Sequence, residues 1–399
     1  MTIFLSTLLL LAPFGCHSTL RPLYEQEKNN TLKTILDVED TNWIPDARFR
    51  FSYESIGNLG KIALEDSLSK GNFKITFLGQ EIAIDIASTL KEFVLSKGND
   101  GNIQFAIQLY GDATLTHPLL SFSHPYSGSI TGTIDLQMKE KVLTASINTI
   151  KDISISFQKL PTLEMTKPLE EWINNVITSV PSIPLAEIDT KQFFSRDIRF
   201  TAQSNSFDIE LLSHFPNTTP LPKNNKKPRG DWEIAISNDT LSRMVRSNTF
   251  ALKPTANGIY IDARRVYFTQ DNLNIDLRLW KIDGWGQWWR DYDISTPVII
   301  EEQDIILGEP VAKLKEKSPN AELVDPIIVL AEGYILKTIS EQIRYTLPKT
   351  HTKDISGTTL EVQIGSMRGT PKFILFYGSL ETTDSDADTP KPKRKKRSK

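Results

Sequence analysis

One cysteine in 399 residues, Cys16, excludes an intramolecular disulfide framework and any metal cluster built from cysteines alone. A formal net charge of −3 leaves no overall basic field of the kind that draws nucleic acid. Beyond the N-terminus, no apolar run approaches the ~20 residues that a membrane-spanning helix needs. The five histidines (His17, His117, His124, His214 and His351) lack the spacing of a zinc-binding helix. No Gly-x-Ser-x-Gly nucleophile elbow, Gly-rich phosphate loop or dinucleotide fingerprint occurs. Carboxylates are plentiful, but spacing alone does not single out a glycosidase pair. The expectation is a protein that is not an enzyme and uses no cofactor or metal.

What is present is an ordinary globular balance, 39% apolar and 24% charged, in a chain long enough for two or three domains. The ends depart from that balance. Residues 3–14 form an apolar segment too short to span a bilayer, and it stops at Gly15-Cys16. This reads as an export signal. The coincidence with the only cysteine resembles the lipobox of bacterial lipoprotein signal peptides, although Pro13 stands where that family favours Leu. The resemblance implies cleavage after residue 15, lipidation of Cys16, and a periplasmic protein held to a membrane by that anchor. His17, in place of the Asp that marks inner-membrane retention in that family, implies the outer membrane. Residues 17–44 are then an N-terminal tether following a signal region over 1–16.

Residues 381–399 read as a disordered tail, acidic through Pro390 and then carrying seven basic side chains in the nine residues 391–399. Such a run can hold anionic lipid or an envelope polymer. Asp384, Asp386 and Asp388 mimic the start of a calcium loop, but the following Gly and the distal Glu are missing.

The middle of the chain looks duplicated. Asn102–Tyr110 and Asn272–Trp280 both alternate strictly, with Ile103, Phe105, Ile107 and Leu109 matched by Leu273, Ile275, Leu277 and Leu279. Period two over this length predicts half-buried strands. Each strand region is followed by a helical stripe that ends at a proline. The first runs from Leu169 to Val180, with Trp172, Ile173, Val176 and Ile177, and reaches Ile183-Pro184. The second runs from Val324 to Leu347, with Ile328, Tyr334, Ile335 and Ile339, and reaches Leu347-Pro348. Strands follow both. Each half also opens on an alternating stretch, Phe49–Tyr53 and Trp232–Ile236, before a short helix; in the second, Asn238 or Asp239 is the expected cap. The Pro-, Asn- and Lys-rich residues 216–230 read as a linker between a first module over 45–215 and a second over 231–380. The fold class is α+β: two tandem modules, each a twisted antiparallel sheet wrapped around a long amphipathic helix.

Four of the seven tryptophans fall at 280, 285, 288 and 289, around Gly284 and Gly286. Tryptophan favours surfaces where one end is apolar and the other wet. Trp285, Trp288 and Trp289 are therefore candidates for a ligand mouth or a membrane contact, or for a hairpin packed over the end of the sheet.

The paired strands 102–110 and 272–280 and the paired helix–proline exits resemble the tubular lipid-binding superfamily, the fold of bactericidal/permeability-increasing protein and lipid-transfer proteins. The resemblance covers residues 45–380. It implies an elongated molecule with a hydrophobic groove in each module that holds acyl chains. The groove would be lined by the inward faces of the two paired strands together with Trp172, Val176, Ile328, Tyr334, Ile335 and Ile339. The chain lacks the disulfide of the secreted animal members, which points to a bacterial relative. The alternative is a structural or interaction lipoprotein of the envelope with filled modules.

Overall fold

The computed structural model describes residues 20–36, 44–77, 80–117, 120–139, 142–158, 166–180, 182–187, 195–213, 220–222, 228–255, 258–283, 287–301, 304–319, 321, 333–334, 337–338, 340–341, 353–355 and 358–384. The first half of the chain contains α1 (Leu20–Leu36), β1 (Ala47–Ser52), α2 (Tyr53–Ser69), β2 (Lys70–Phe77), β3 (Gln80–Lys97), β4 (Ile103–His117), β5 (Leu120–Lys139), β6 (Val142–Phe157), α3 (Thr166–Ser179), β7 (Ile183–Glu187), β8 (Ser195–Ala202) and β9 (Ser206–Ser213). The second half contains β10 (Trp232–Ser237), α4 (Asn238–Ala251), β11 (Ile259–Thr269), β12 (Asn272–Lys281), β13 (Trp288–Glu301), β14 (Asp304–Leu307), β15 (Val311–Lys317), β16 (Lys353–Ile355), β17 (Thr358–Gly369) and β18 (Phe373–Asp384).

These strands form three antiparallel sheets. A six-stranded sheet takes β2 to β7 in chain order, and a second sheet joins β11, β12, β13 and β14, with β15 also paired to β13. The third sheet has seven strands in the order β16-β17-β18-β10-β1-β9-β8 and draws on both halves. At its centre β1 pairs with β10, Phe49 opposite Ile234. Phe49 and Phe51 lie on one face of β1, and Arg48 and Arg50 on the other, yet all six residues of the strand are buried. A strand buried on both faces belongs in the middle of a sheet. The hydrophobic pattern does not announce this sharing of one sheet.

Hydrogen bonds around two aspartates repeat across the β1–β10 pair. Asp46 N–H donates to the Leu211 carbonyl, and the Asp46 carbonyl accepts from Ser237 N–H. Its side chain accepts from Ser213 N–H and, at 2.6 Å, from Thr240 Oγ1. Asp231 does the same in the other half. Its N–H donates to the Gly378 carbonyl and its carbonyl accepts from Ser52 N–H. Its side chain accepts from Leu380 N–H at 2.8 Å and from Ser55 Oγ. Each carboxylate thereby ties its own half to the first turn of the other half's helix.

The six-stranded sheet curls so that α3 touches both β2 and β6. α3 buries Leu169, Ile173 and Ile177. Its Trp172 ring lies against Gly71 of β2, where a Cβ would stand 2.2 Å from the indole Cζ2. Glycine here allows the helix to close onto the strand. α2 packs on β3 and is capped by Ser52, whose Oγ accepts from Ser55 N–H at 3.1 Å. The cap position of α4 is Ser237, one residue before the two expected from sequence; Asn238 is the first helical residue and its Nδ2 donates to the Thr370 carbonyl at 2.7 Å.

The stretch read as a tether contains α1, and α1 is docked. Tyr24 is buried among Phe250, Trp280 and Tyr260, with ring centres 5.7, 5.9 and 5.0 Å away. Within the stretch read as a linker, Leu221 is buried against Ala235, Leu375 and Tyr377 of the central sheet. Arg48 Nη1 donates to the Pro222 carbonyl at 2.8 Å. Cys16 and residues 385–399 lie outside the described residues, as do Ile328, Ile335, Ile339 and Trp285. Of the helix expected over 324–347, the described positions 333, 334, 337, 338, 340 and 341 are helical.

Candidate functional site

The concave face of the six-stranded sheet is apolar from strand to strand. One row across it runs Phe93, Ile107, Ile130 and Ile153, and the next runs Leu90, Leu109, Gly128 and Ile155. Towards the far end, Phe73, Ile84, Leu115 and Phe122 form another row. Exposure changes along that row: Ile84 is buried, Phe73 and Leu115 are half-buried, and Phe122 is 51% exposed.

The strip along β6 is half-buried throughout its outer half: Ile147, Ile150, Ile153, Ile155 and Phe157. Trp172 and Val176 of α3 are half-buried as well and pack on the same cluster. Ile103, Phe105, Ile107 and Leu109 are buried beneath. Phe105 stacks on Phe93 with ring centres 5.8 Å apart. These four strand positions thus form the packed floor, and the β6 strip forms the partly uncovered wall. Periodicity misses that wall because the β5–β6 ladder slips between Thr131 and Gly132 and again between Thr133 and Ile134. A bulge shifts which residues face inward, so the isoleucines fall at 147, 150, 153 and 155 and not on strict alternation.

Inside the sheet, Ser88 Oγ and Tyr126 Oη stand 2.5 Å apart as a hydroxyl pair. Burial raises the Tyr126 phenol above its usual value, so it stays protonated, and the two hydroxyls satisfy each other. A separate concavity of about 620 Å³ lies between α2, β3 and residues 204–205. Its walls carry Glu54, Lys61, Lys91 and Glu92 beside Phe93 and Leu95. Charges of both signs make it a poor seat for an acyl chain.

The second half is filled at the matching positions. Leu273, Ile275, Leu277 and Leu279 are 0–2% exposed. The aromatic cluster is a hairpin end: Trp280 opposes Trp289, and Lys281 opposes Trp288. Trp288 is buried, and Trp289 is half-buried with the Arg278 guanidinium 4.1 Å from its ring centre. Tyr334 is 46% exposed. Among the described residues, no group of three or more His, Cys, Asp or Glu side chains forms a cation site, and no helix is long and apolar enough to cross a membrane.

No protein-family model and no curated protein sequence matches the chain. Solved structures do show likeness. A lipopolysaccharide binding protein is 11% identical, with 85% of this chain and 99% of that one covered and a TM-score of 0.33. P47 from Clostridium botulinum A2 is 11% identical, with 84% and 97% covered and a TM-score of 0.35. P47 of Clostridium botulinum E1 is 10% identical, with 86% and 100% covered and a TM-score of 0.37. At that level of similarity, function has to be sought in the chain's own residues.

Proposed function

We propose that this chain binds acyl lipid on the concave face of the six-stranded sheet, with α3 as its cover. The observation that carries the proposal is the half-buried apolar strip Ile147, Ile150, Ile153, Ile155 and Phe157 facing Trp172 and Val176. An acyl chain laid along this strip gains about 0.8 kcal/mol per methylene removed from water. No bond is made or broken, so no catalytic group is required.

In this proposal each half is a sheet-and-helix module, and the chain is an exported bacterial lipoprotein held at the outer membrane through Cys16. Its basic tail meets anionic lipid or envelope polymer, nucleic acid is not a partner, and bound lipid can be passed on. The packed β12 positions favour a second reading for the second half, that of a filled scaffold for a protein partner. The deciding experiment is to purify the full chain without detergent, extract it with organic solvent and quantify lipid against protein by mass spectrometry. One or more acyl lipids per chain is the expected result. A folded, lipid-free protein would reject the carrier and leave the scaffold.

A further inference from the structure

α1 docks on the second half through Leu20, Arg21, Tyr24 and Glu27, and its Leu32 packs against the main core. Among the described side chains of α1, Tyr24 is the one that is fully buried, and Leu20 packs on the edge of the same cluster. One turn after Tyr24, Glu27 meets three arginines: Arg246 at 2.8 Å, Arg264 at 3.5 Å and Arg278 at 3.8 Å. Arg246 is already bonded to Asp262 through Nε at 2.7 Å and Nη2 at 3.0 Å. Arg278 is already bonded to Asp291 through Nη2 at 2.6 Å. Without Glu27 the cluster would hold three guanidinium groups against two carboxylates, beside an aromatic wall of Phe250, Tyr260 and Trp280. A fixed patch of arginine and aromatic side chains with one uncompensated positive charge is a receiving surface for an anionic, ring-bearing group.

α1 fills this surface incompletely. The Trp280 indole is buried, and among the described residues its Nε1–H has no acceptor, although Tyr24 packs against the ring. A buried donor left unpaired costs free energy that an occupant carrying an acceptor there would recover.

We infer that the Arg246–Arg264–Arg278 cluster and its aromatic wall form a binding site for a helix of a partner protein. That helix carries an aromatic residue and, one turn later, a carboxylate. α1 occupies the site in cis as a displaceable substitute. The inference is independent of lipid binding, since the site lies on the second half under α1 and shares no residue with the β6 strip.

The test uses the full chain and a fluorescent peptide of residues 20–36 as the probe. A covalently tethered occupant acts at high effective concentration, so wild type should bind the added peptide at least about tenfold more weakly than a Tyr24→Ala/Glu27→Gln chain. The same peptide carrying both substitutions should bind neither. A folded double variant that ignores the peptide overturns the inference, and so does one that gains binding to phosphatidylglycerol vesicles but not to the peptide. Hydrogen exchange on wild type needs no variant. The amides of 20–36 should exchange by local opening, well before those of β1 and β10. Exchange of both only on global unfolding overturns the inference.

Discussion

Thr240 donates a hydrogen bond to Asp46 across the β1–β10 pair, Oγ1 to Oδ1 at 2.6 Å, and Ser55 donates to Asp231 in the equivalent place. Thr240 and Asp46 are both buried. Hydrogen bonds to a charged group are worth about 1.5–3 kcal/mol. Thr240→Ala and Ser55→Ala should therefore each lower stability by about that amount, to a similar extent, in urea titrations read by circular dichroism. A loss below about 0.5 kcal/mol in either would show that the pair does not hold the halves together.

Asp46 also sets a pH dependence. Burial, the largest influence, raises its carboxyl above the usual value, while the bonds from Thr240 and Ser213 pull it down. The folded chain thus binds the proton more tightly than the unfolded chain does. The stability due to this group is full below the unfolded value of ~3.9 and is lost as pH rises through the higher folded value. The stability of wild type relative to Asp46→Asn should accordingly fall as pH rises above about 4. A difference that grows with pH over this range would contradict the assignment.

Further along β1, Arg50 grips Asp208 through Nε at 2.6 Å and Nη2 at 2.7 Å, with both side chains buried. Removing one partner of a buried pair leaves an uncompensated charge and costs about 3–5 kcal/mol. Asp208→Ala should show that loss by thermal melting, whereas Arg50→Met/Asp208→Leu should recover most of it. An unchanged melting temperature for Asp208→Ala would mean that Glu233 can take over the guanidinium.

The contact of Trp172 with Gly71 gives a direct handle on the cover of the proposed lipid face. A methyl group at residue 71 has no room beside the indole, and overpacking of this kind costs about 1–3 kcal/mol. Gly71→Ala should push α3 outward and change the lipid recovered per chain. Unaltered stability and unaltered lipid content would remove α3 from the site.

The two sheets should respond differently to mutation. Ile275→Ala opens a cavity in a filled region and should cost about 2–5 kcal/mol, with no effect on bound lipid. Ile153→Asp sits on the half-buried strip and should abolish lipid recovery while the fold survives. Equal lipid content in the two variants would contradict the proposed site.

Much of the fold was legible in single strands and helices. Alternation alone exposes β4 and β12, because one face of each is buried and the bulges beside them fall on the neighbouring strands β3 and β11. The stripe of α3 is as plain, with Leu169, Ile173 and Ile177 inward. α1 escapes notice because it docks through scattered apolar residues and the ion pairs of Arg21 and Glu27 rather than through a continuous apolar stripe. The β6 wall escapes because two bulges scramble its period. The aspartate pair escapes because hydrophobic patterning is blind to polar residues, yet it left a trace. Asp46, Ser52 and Ser55 have the same spacing as Asp231, Ser237 and Thr240.

The pairing of β1 with β10 also constrains the order in which the chain can fold. β1 finds β9 once residue 213 has been made, but its other edge stays bare until β10 arrives, and β10 in turn waits for β18 near the end of the chain. Contacts this distant in sequence close slowly, and an unpaired strand edge is prone to wrong partners in the meantime. The central sheet is thus the last part of the molecule to become safe, and a chain cut short before β18 would keep its most adhesive edge uncovered.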